Sequence, residues 1–229
     1  LPLIAIEPLE PLPGPARQRV QDLDLYAHLV FISANAARLG CERIDDLWPQ
    51  WPAQQRYWAV GESTARVLEG RGLAVERPAQ DMSSEGLLAM PGLQQVAGER
   101  VLIVRGEGGR GMIAETLRER GATVDDLCCY RRSPVAHDGE RLIAKLAESP
   151  VEAVLVSSGE GLDLLTALLS PRDHADLASI RLLVPSQRVA QAAGEAGWQR
   201  VTTVVNASDD AMLEAVRDVL PVRGPAAAS

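Results

Sequence analysis

Five short turns hold most of the residues in this chain whose types and spacing suit binding chemistry. They are Ser33–Asn35, Gly61–Thr64, Arg105–Arg110, Ser157–Gly159 and Pro185–Ser186. Each follows a short apolar run, is small, polar or glycine-rich, and leads into a helix-forming segment. Turns of this kind expose backbone N–H groups and the positive end of a helix dipole, which suits a carboxylate or phosphate. One such end contributes only about 0.3–1 kcal/mol, so the argument needs several of them acting on one polyanionic ligand. The candidates are Ser33, Ala34, Ser63, Thr64, Gly106, Gly108, Ser157, Ser158, Gly159 and Ser186 for hydroxyl or N–H donation, with Arg105 and Arg110 for charge. A second reading stays open, in which Ser33, Thr64, Ser158 and Ser186 cap helices and nothing more.

Other chemistries are harder to place. Lys145 is the only lysine, which argues against Schiff-base chemistry and a phosphate-binding Gly-Lys-Ser/Thr loop. His28, His137 and His174 are scattered, Cys41, Cys128 and Cys129 lack metal-ligand spacing, and no metal or organic cofactor is expected. A net charge of −8 argues against a nucleic-acid partner. No apolar run approaches the roughly 20 residues that cross a bilayer. An odd number of thiols fits a reducing compartment, so the expected location is the cytoplasm. Residues 106–111 read as Gly-x-Gly-x-x-Gly, with Asp126 where a ribose partner could fall. That leaves a nicotinamide-dependent oxidoreductase as a rival, although Arg105 and the late position of the motif depart from the usual pattern.

The elements that must position these turns alternate between strand and helix. Strands are predicted at Leu3–Ile6, His28–Ile32, Tyr57–Val60, Ala74–Arg77, Arg100–Val104, Thr123–Leu127, Ala153–Val156, Arg181–Val184 and Arg200–Val205. Helical periodicity lies between most of them, at Ala36–Leu47, Thr64–Arg71, Met112–Arg120, Leu162–Leu169 and Val189–Ala193. Apolar strands separated by helices indicate parallel sheets covered on both faces. Gly72, Gly121 and Gly197 are placed to end helices in the left-handed conformation.

Val30–Ser33 resembles Val154–Ser157, and Val60–Ser63 resembles Val184–Gln187, both at an offset of 124 (154 − 30). The expected architecture is therefore α/β, with two similar parallel-sheet domains of the Rossmann or flavodoxin kind. Prolines 8, 11, 13 and 15 mark one break, and Arg131–His137 marks another. An inserted domain over 8–129 is predicted, with 1–7 plus 130–220 forming the second domain across a two-stranded hinge, and a disordered tail at 221–229. The chain opens inside a strand-like run without an initiator Met, so a further piece is expected upstream.

Taken in order, the segments Val30–Asn35, Ala59–Ala65, Val101–Arg110, Val124–Arg132 and Val154–Gly159 resemble bacterial uroporphyrinogen-III synthases. The run 105–110, Arg-Gly-Glu-Gly-Gly-Arg, and the run 130–132, Tyr-Arg-Arg, are the most telling. The resemblance implies a cofactor-free, monomeric cyclising lyase of haem biosynthesis acting on hydroxymethylbilane, a linear tetrapyrrole with eight carboxylates. It implies loss of the terminal hydroxyl, attack on the substituted carbon of ring D to give a spiro intermediate, and reclosure with ring D inverted. It also implies that Tyr130 helps the hydroxyl leave, with a half-buried hinge tyrosine as the plain alternative. A two-lobed small-molecule-binding protein is the remaining rival on architecture alone.

Overall fold

A computed structural model describes residues 2–109, 111–148, 151–170 and 180–220. Arg110 and the tail at 221–229 lie outside the described residues. The chain divides into two compact units, one of Ile6–Ser133 and one of Leu1–Ala5 with Pro134–Ser229. In chain order the first part runs β1 (Ile4–Pro8), α1 (Gly14–Gln21), β2 (His28–Phe31), α2 (Ala34–Asp45), β3 (Arg56–Ala59), α3 (Glu62–Glu69), β4 (Val75–Glu76), α4 (Ser84–Leu88), β5 (Arg100–Gly106), α5 (Met112–Glu119) and β6 (Thr123–Pro134). There follow α6 (Gly139–Glu148), β7 (Ala153–Leu155), α7 (Gly159–Leu168), β8 (Arg181–Val184), α8 (Gln187–Ala196), β9 (Arg200–Thr203) and α9 (Asp209–Val219).

The larger sheet has the order β1-β6-β5-β2-β3-β4. Strands β2 to β6 pair in parallel. Alternation along the strands separates two cores. Leu29, Phe31, Tyr57, Leu102, Val104 and Leu127 face α1–α3, where Val20, Leu39, Ile44 and Leu68 cover them. Val30, Trp58, Val101, Ile103 and Val124 face the other way, under Leu87, Ile113 and Leu117. Both faces are covered, as near-continuous apolar strands require. Strand β1 runs antiparallel to β6, because Leu3 C=O accepts from Val135 N–H while Leu9 N–H donates to Cys129 C=O.

The smaller sheet, β7-β8-β9, is also parallel. Leu182 and Val184 lie in one core with Leu162, Leu165 and Val189, and Leu183 lies in another with Met212. The duplication extends over six elements of each unit. The starts of β2, α2, β3, α3, β4 and α4 recur in β7, α7, β8, α8, β9 and α9, all at an offset of 125 (153 − 28). The residue match at 124 was therefore one position out of register: Val30 is the structural counterpart of Leu155, not of Val154.

One further expectation changes. The proline-marked break contains α1, because Pro15 sits in the first turn of that helix, where no backbone N–H is required. The run Arg131–His137 contains the division between the units, which falls after Ser133, although β6 itself continues through Tyr130 to Pro134. Gly72, Gly121 and Gly197 do adopt positive φ, at 79°, 86° and 106°.

At the amino-terminal side of this sheet Asp125 collects cations. It accepts from Tyr26 Oη at 2.9 Å and Arg100 Nη2 at 3.2 Å, and Arg19 Nε lies 3.5 Å away. Burial alone would raise its carboxyl. The hydrogen bonds from Tyr26 and Arg100 and the two guanidinium charges outweigh burial and hold it below the usual carboxylate range. Tyr26 is pushed up to about 12, by burial first and then by this carboxylate. A depressed folded-state pKa gives stability that is present above the unfolded value near 3.9 and lost as pH falls through the folded value. Asp125→Asn should therefore be less stable than the wild type at pH 7, with the gap closing below about pH 4. Urea midpoints across that range test this, and a gap independent of pH would mean the carboxylate charge has no part in it.

Candidate active site

The parallel register places three of the turns, with Tyr130 beside them, along one edge of the larger sheet. Phe31 is level with Ala59 on β3 and with Val104 on β5, and Gly106 is level with Tyr130 on β6. The carboxyl-end residues thus follow the strand order: Tyr130, then Gly106, then Ser33, then Gly61–Thr64. Ser157–Gly159 and Ser186 occupy the corresponding edge of the smaller sheet, beyond β7 and β8.

The serines are helix caps in both units. Ser33 Oγ accepts from Ala36 N–H at 3.1 Å, Ser158 Oγ from Gly161 N–H at 3.0 Å, and Ser186 Oγ from Val189 N–H at 3.4 Å. Capping does not consume these turns, because the remaining N–H groups of each first turn have no helical partner. Thr64 is not a cap: Gly61 holds that position, and Thr64 is buried in the first turn of α3 beside exposed Ser63.

Arg105 does not project as a free cation. Its Nη1 reaches Asp126 Oδ1 at 3.4 Å, its Nε donates to Gly106 C=O at 3.3 Å, and its Nη2 donates to Gly108 C=O. The guanidinium fastens the glycine-rich turn, whose Gly108 and Gly109 take positive φ of 73° and 85°. Asp126, the ribose partner of the nicotinamide reading, is held between Arg105 and Arg118.

Tyr130 was expected at a crossing between domains. It belongs instead to the core of the larger unit, 1% exposed. A bulge explains how it gets there. The β5–β6 register shifts between Arg105, level with Cys128, and Gly106, level with Tyr130. The skipped residue flips the alternation, so Cys129 and Tyr130 both face α1–α3. The ring then lies across Gly106, where a Cβ would fall 2.6 Å from its Cε2 and Cζ atoms. Two strand spacings, about 10 Å, separate β6 from β2, and the phenol spans them to meet Ser33 Oγ at 3.1 Å. Sequence reasoning missed this contact, whose one written signal is a glycine in the strand between a tyrosine and a serine.

The thiols have no place in this chemistry. Burial pushes Cys41 and Cys129 up to about 12. Among the described residues no cluster of three His, Cys, Asp or Glu side chains is placed to hold a metal.

A family model described as uroporphyrinogen-III synthase HemD matches residues 1–214. The chain is 37% identical over 221 residues to uroporphyrinogen-III synthase of Escherichia coli (strain K12), covering 94% of this chain and 88% of that protein. It is 41% identical over 170 residues to the Salmonella typhimurium protein of the same name, covering 73% and 69%. In fold it is similar to the crystal structure of uroporphyrinogen-III synthetase from Helicobacter pylori, with a TM-score of 0.64 at 15% identity over 96% of this chain and 92% of that one.

Proposed function

The chain belongs to the uroporphyrinogen-III synthase family, and from that premise we propose which of its residues carry the cyclisation of hydroxymethylbilane. As an enzyme of porphyrin biosynthesis it acts on a tetrapyrrole. The residue assignment rests on one observation, the Tyr130–Ser33 hydroxyl contact at the carboxyl edge of the larger sheet. Departure of the terminal hydroxyl as water needs a donor to the leaving oxygen, and this pair supplies one. The methylene carbon that it leaves is attacked by the substituted carbon of ring D. The spiro intermediate then reopens and recloses with ring D inverted, and the proton lost from ring D restores the donor.

The substrate's eight carboxylates are received by helix starts. In the larger unit these are Ser33–Ala34 and Ser63–Thr64, with N–H groups of the turn from Gly106 to Gly108 shaped by Arg105. In the smaller unit they are Ser157–Gly159 and Ser186. Arg110, although outside the described residues, keeps its assignment as a carboxylate contact from sequence. Holding the linear chain curled favours closure between its ends, which is a positional contribution. The protein is proposed to work as a cytoplasmic monomer without a nucleic-acid partner. Net charge and free thiols support that setting, and no described helix is long and apolar enough to cross a membrane.

Incubation with hydroxymethylbilane and separation of the uroporphyrinogen isomers tests the activity. Type III is the expected product. Tyr130→Phe should lower kcat at least about tenfold, as loss of a positioned hydrogen-bond donor does. Type I should then accumulate, because unassisted closure does not invert ring D. Type III formed at the wild-type rate would remove Tyr130 from the chemistry.

A further inference from the structure

Ser33 and Tyr130 differ in what they can touch. Tyr130 is buried, whereas Ser33, at the start of α2, is half-exposed. Their hydrogen bond also has a preferred direction. A hydroxyl has one proton and two lone pairs. Ser33 Oγ already accepts from Ala36 N–H, and among the described residues it is the sole hydrogen-bond partner of Tyr130 Oη. Were Ser33 the donor, the phenol proton would be left in the core without an acceptor, a costly arrangement. With Tyr130 as donor, both lone pairs of Ser33 are filled and its own proton is left for the accessible side.

From this we infer that Ser33 is the catalytic residue that meets the leaving hydroxyl, and that Tyr130 is a positioning residue acting through it. The inference rests on the Tyr130 reading above and reverses which of the two hydroxyls touches substrate. In the step, the C–O bond breaks with its electron pair passing to oxygen, which takes the Ser33 proton and leaves as water. Ser33 takes the phenol proton in the same motion. The proton that ring D loses on closure returns along the same path, so donors and charge balance over one turnover. The positive end of α2 and the Ala36 N–H both favour release of the Ser33 proton.

Steady-state kinetics on five variants test the relay. Ser33→Ala should lower kcat about a hundredfold with KM within about threefold, as a lost proton donor predicts. Tyr130→Phe, which leaves the serine in place, should lose about tenfold. The double variant should fall no more than about twofold below Ser33→Ala, since the phenol has nothing left to act through. Ser33→Gly, a better cap than Ala, should match Ser33→Ala and so separate the missing hydroxyl from a damaged helix start. Ser33→Thr keeps both cap and hydroxyl and should recover kcat to within about threefold.

A smaller loss for Ser33→Ala than for Tyr130→Phe would overturn the relay, leaving the phenol as the group at the substrate. Losses that multiply in the double variant, or no recovery with threonine, would overturn it as well. Tyr130→Phe at the wild-type rate would instead sink the parent reading, and any Ser33 effect would then belong to the serine alone.

Discussion

Gly106→Ala is expected to lower kcat about a hundredfold while the protein still folds, a loss set by displacement of one buried ring. The backbone at Gly106 is ordinary strand, so the requirement for glycine is one of space and not of φ. The new methyl would stand 2.6 Å from Tyr130 Cε2 and Cζ, well inside contact distance. A buried ring cannot swing into solvent, so it must slide along β6 or lift the turn that follows β5. Either movement separates Oη from Ser33 and shifts the donors of the glycine-rich turn. Overpacking of this kind costs about 1–3 kcal/mol, which most domains survive. Paired kinetics and urea melts give the result. Wild-type turnover with a full stability loss would mean that the phenol keeps its contact by another route, and that the Tyr130 geometry is not what limits the reaction.

The second large effect lies at the opposite end of the same strands and concerns stability. His28, the first residue of β2, is 2% exposed. Its Nδ1 accepts from Trp58 Nε1 at 3.0 Å, so the ring proton is on Nε2, 2.6 Å from Glu99 Oε2. Trp58 is fully buried and Arg56 covers its ring at 4.7 Å. His28→Leu keeps an apolar volume of similar size but leaves an indole N–H in the core with no acceptor. The expected cost is about 2–3 kcal/mol, the lost hydrogen bond plus the stranded donor. Activity at 25 °C should stay within about twofold, because the cluster is at the amino-terminal edge of the sheet and the turns are at the carboxyl edge. Chemical denaturation reads the first quantity and the isomer assay the second. A loss below about 0.5 kcal/mol would mean that Trp58 finds another acceptor.

Much of the architecture was legible because strand and helix periods differ so sharply. The nine described strands were each read from apolar runs, within about two residues at most ends. Tyr130 shows where that reading stops. Strict alternation would have put it on the face of Val124, and only the bulge beside Arg105 turns it toward Ser33. A bulge leaves no mark in composition. Arg105 was misjudged for a related reason: a guanidinium beside a glycine-rich turn looks the same on paper whether it faces a ligand or folds back onto Gly108 and Asp126. The repeat was visible, but like residues drew it one position out of register. Burial selects any apolar residue at a strand position, so Val30 matches Leu155 as well in the fold as Val154 does in the alphabet.

Strand β1 has a consequence for how the molecule is made. Its partner β6 begins more than a hundred residues later in the chain. During synthesis from the amino terminus, β1 leaves the ribosome long before its neighbour exists, so it emerges as a strand edge with nothing to pair with. The other strands of the larger sheet are complete as soon as β6 arrives, and β1 can only then dock onto them. A strand translated well before β6 is therefore among the last to be fixed, and closing so long a loop makes that step a slow one.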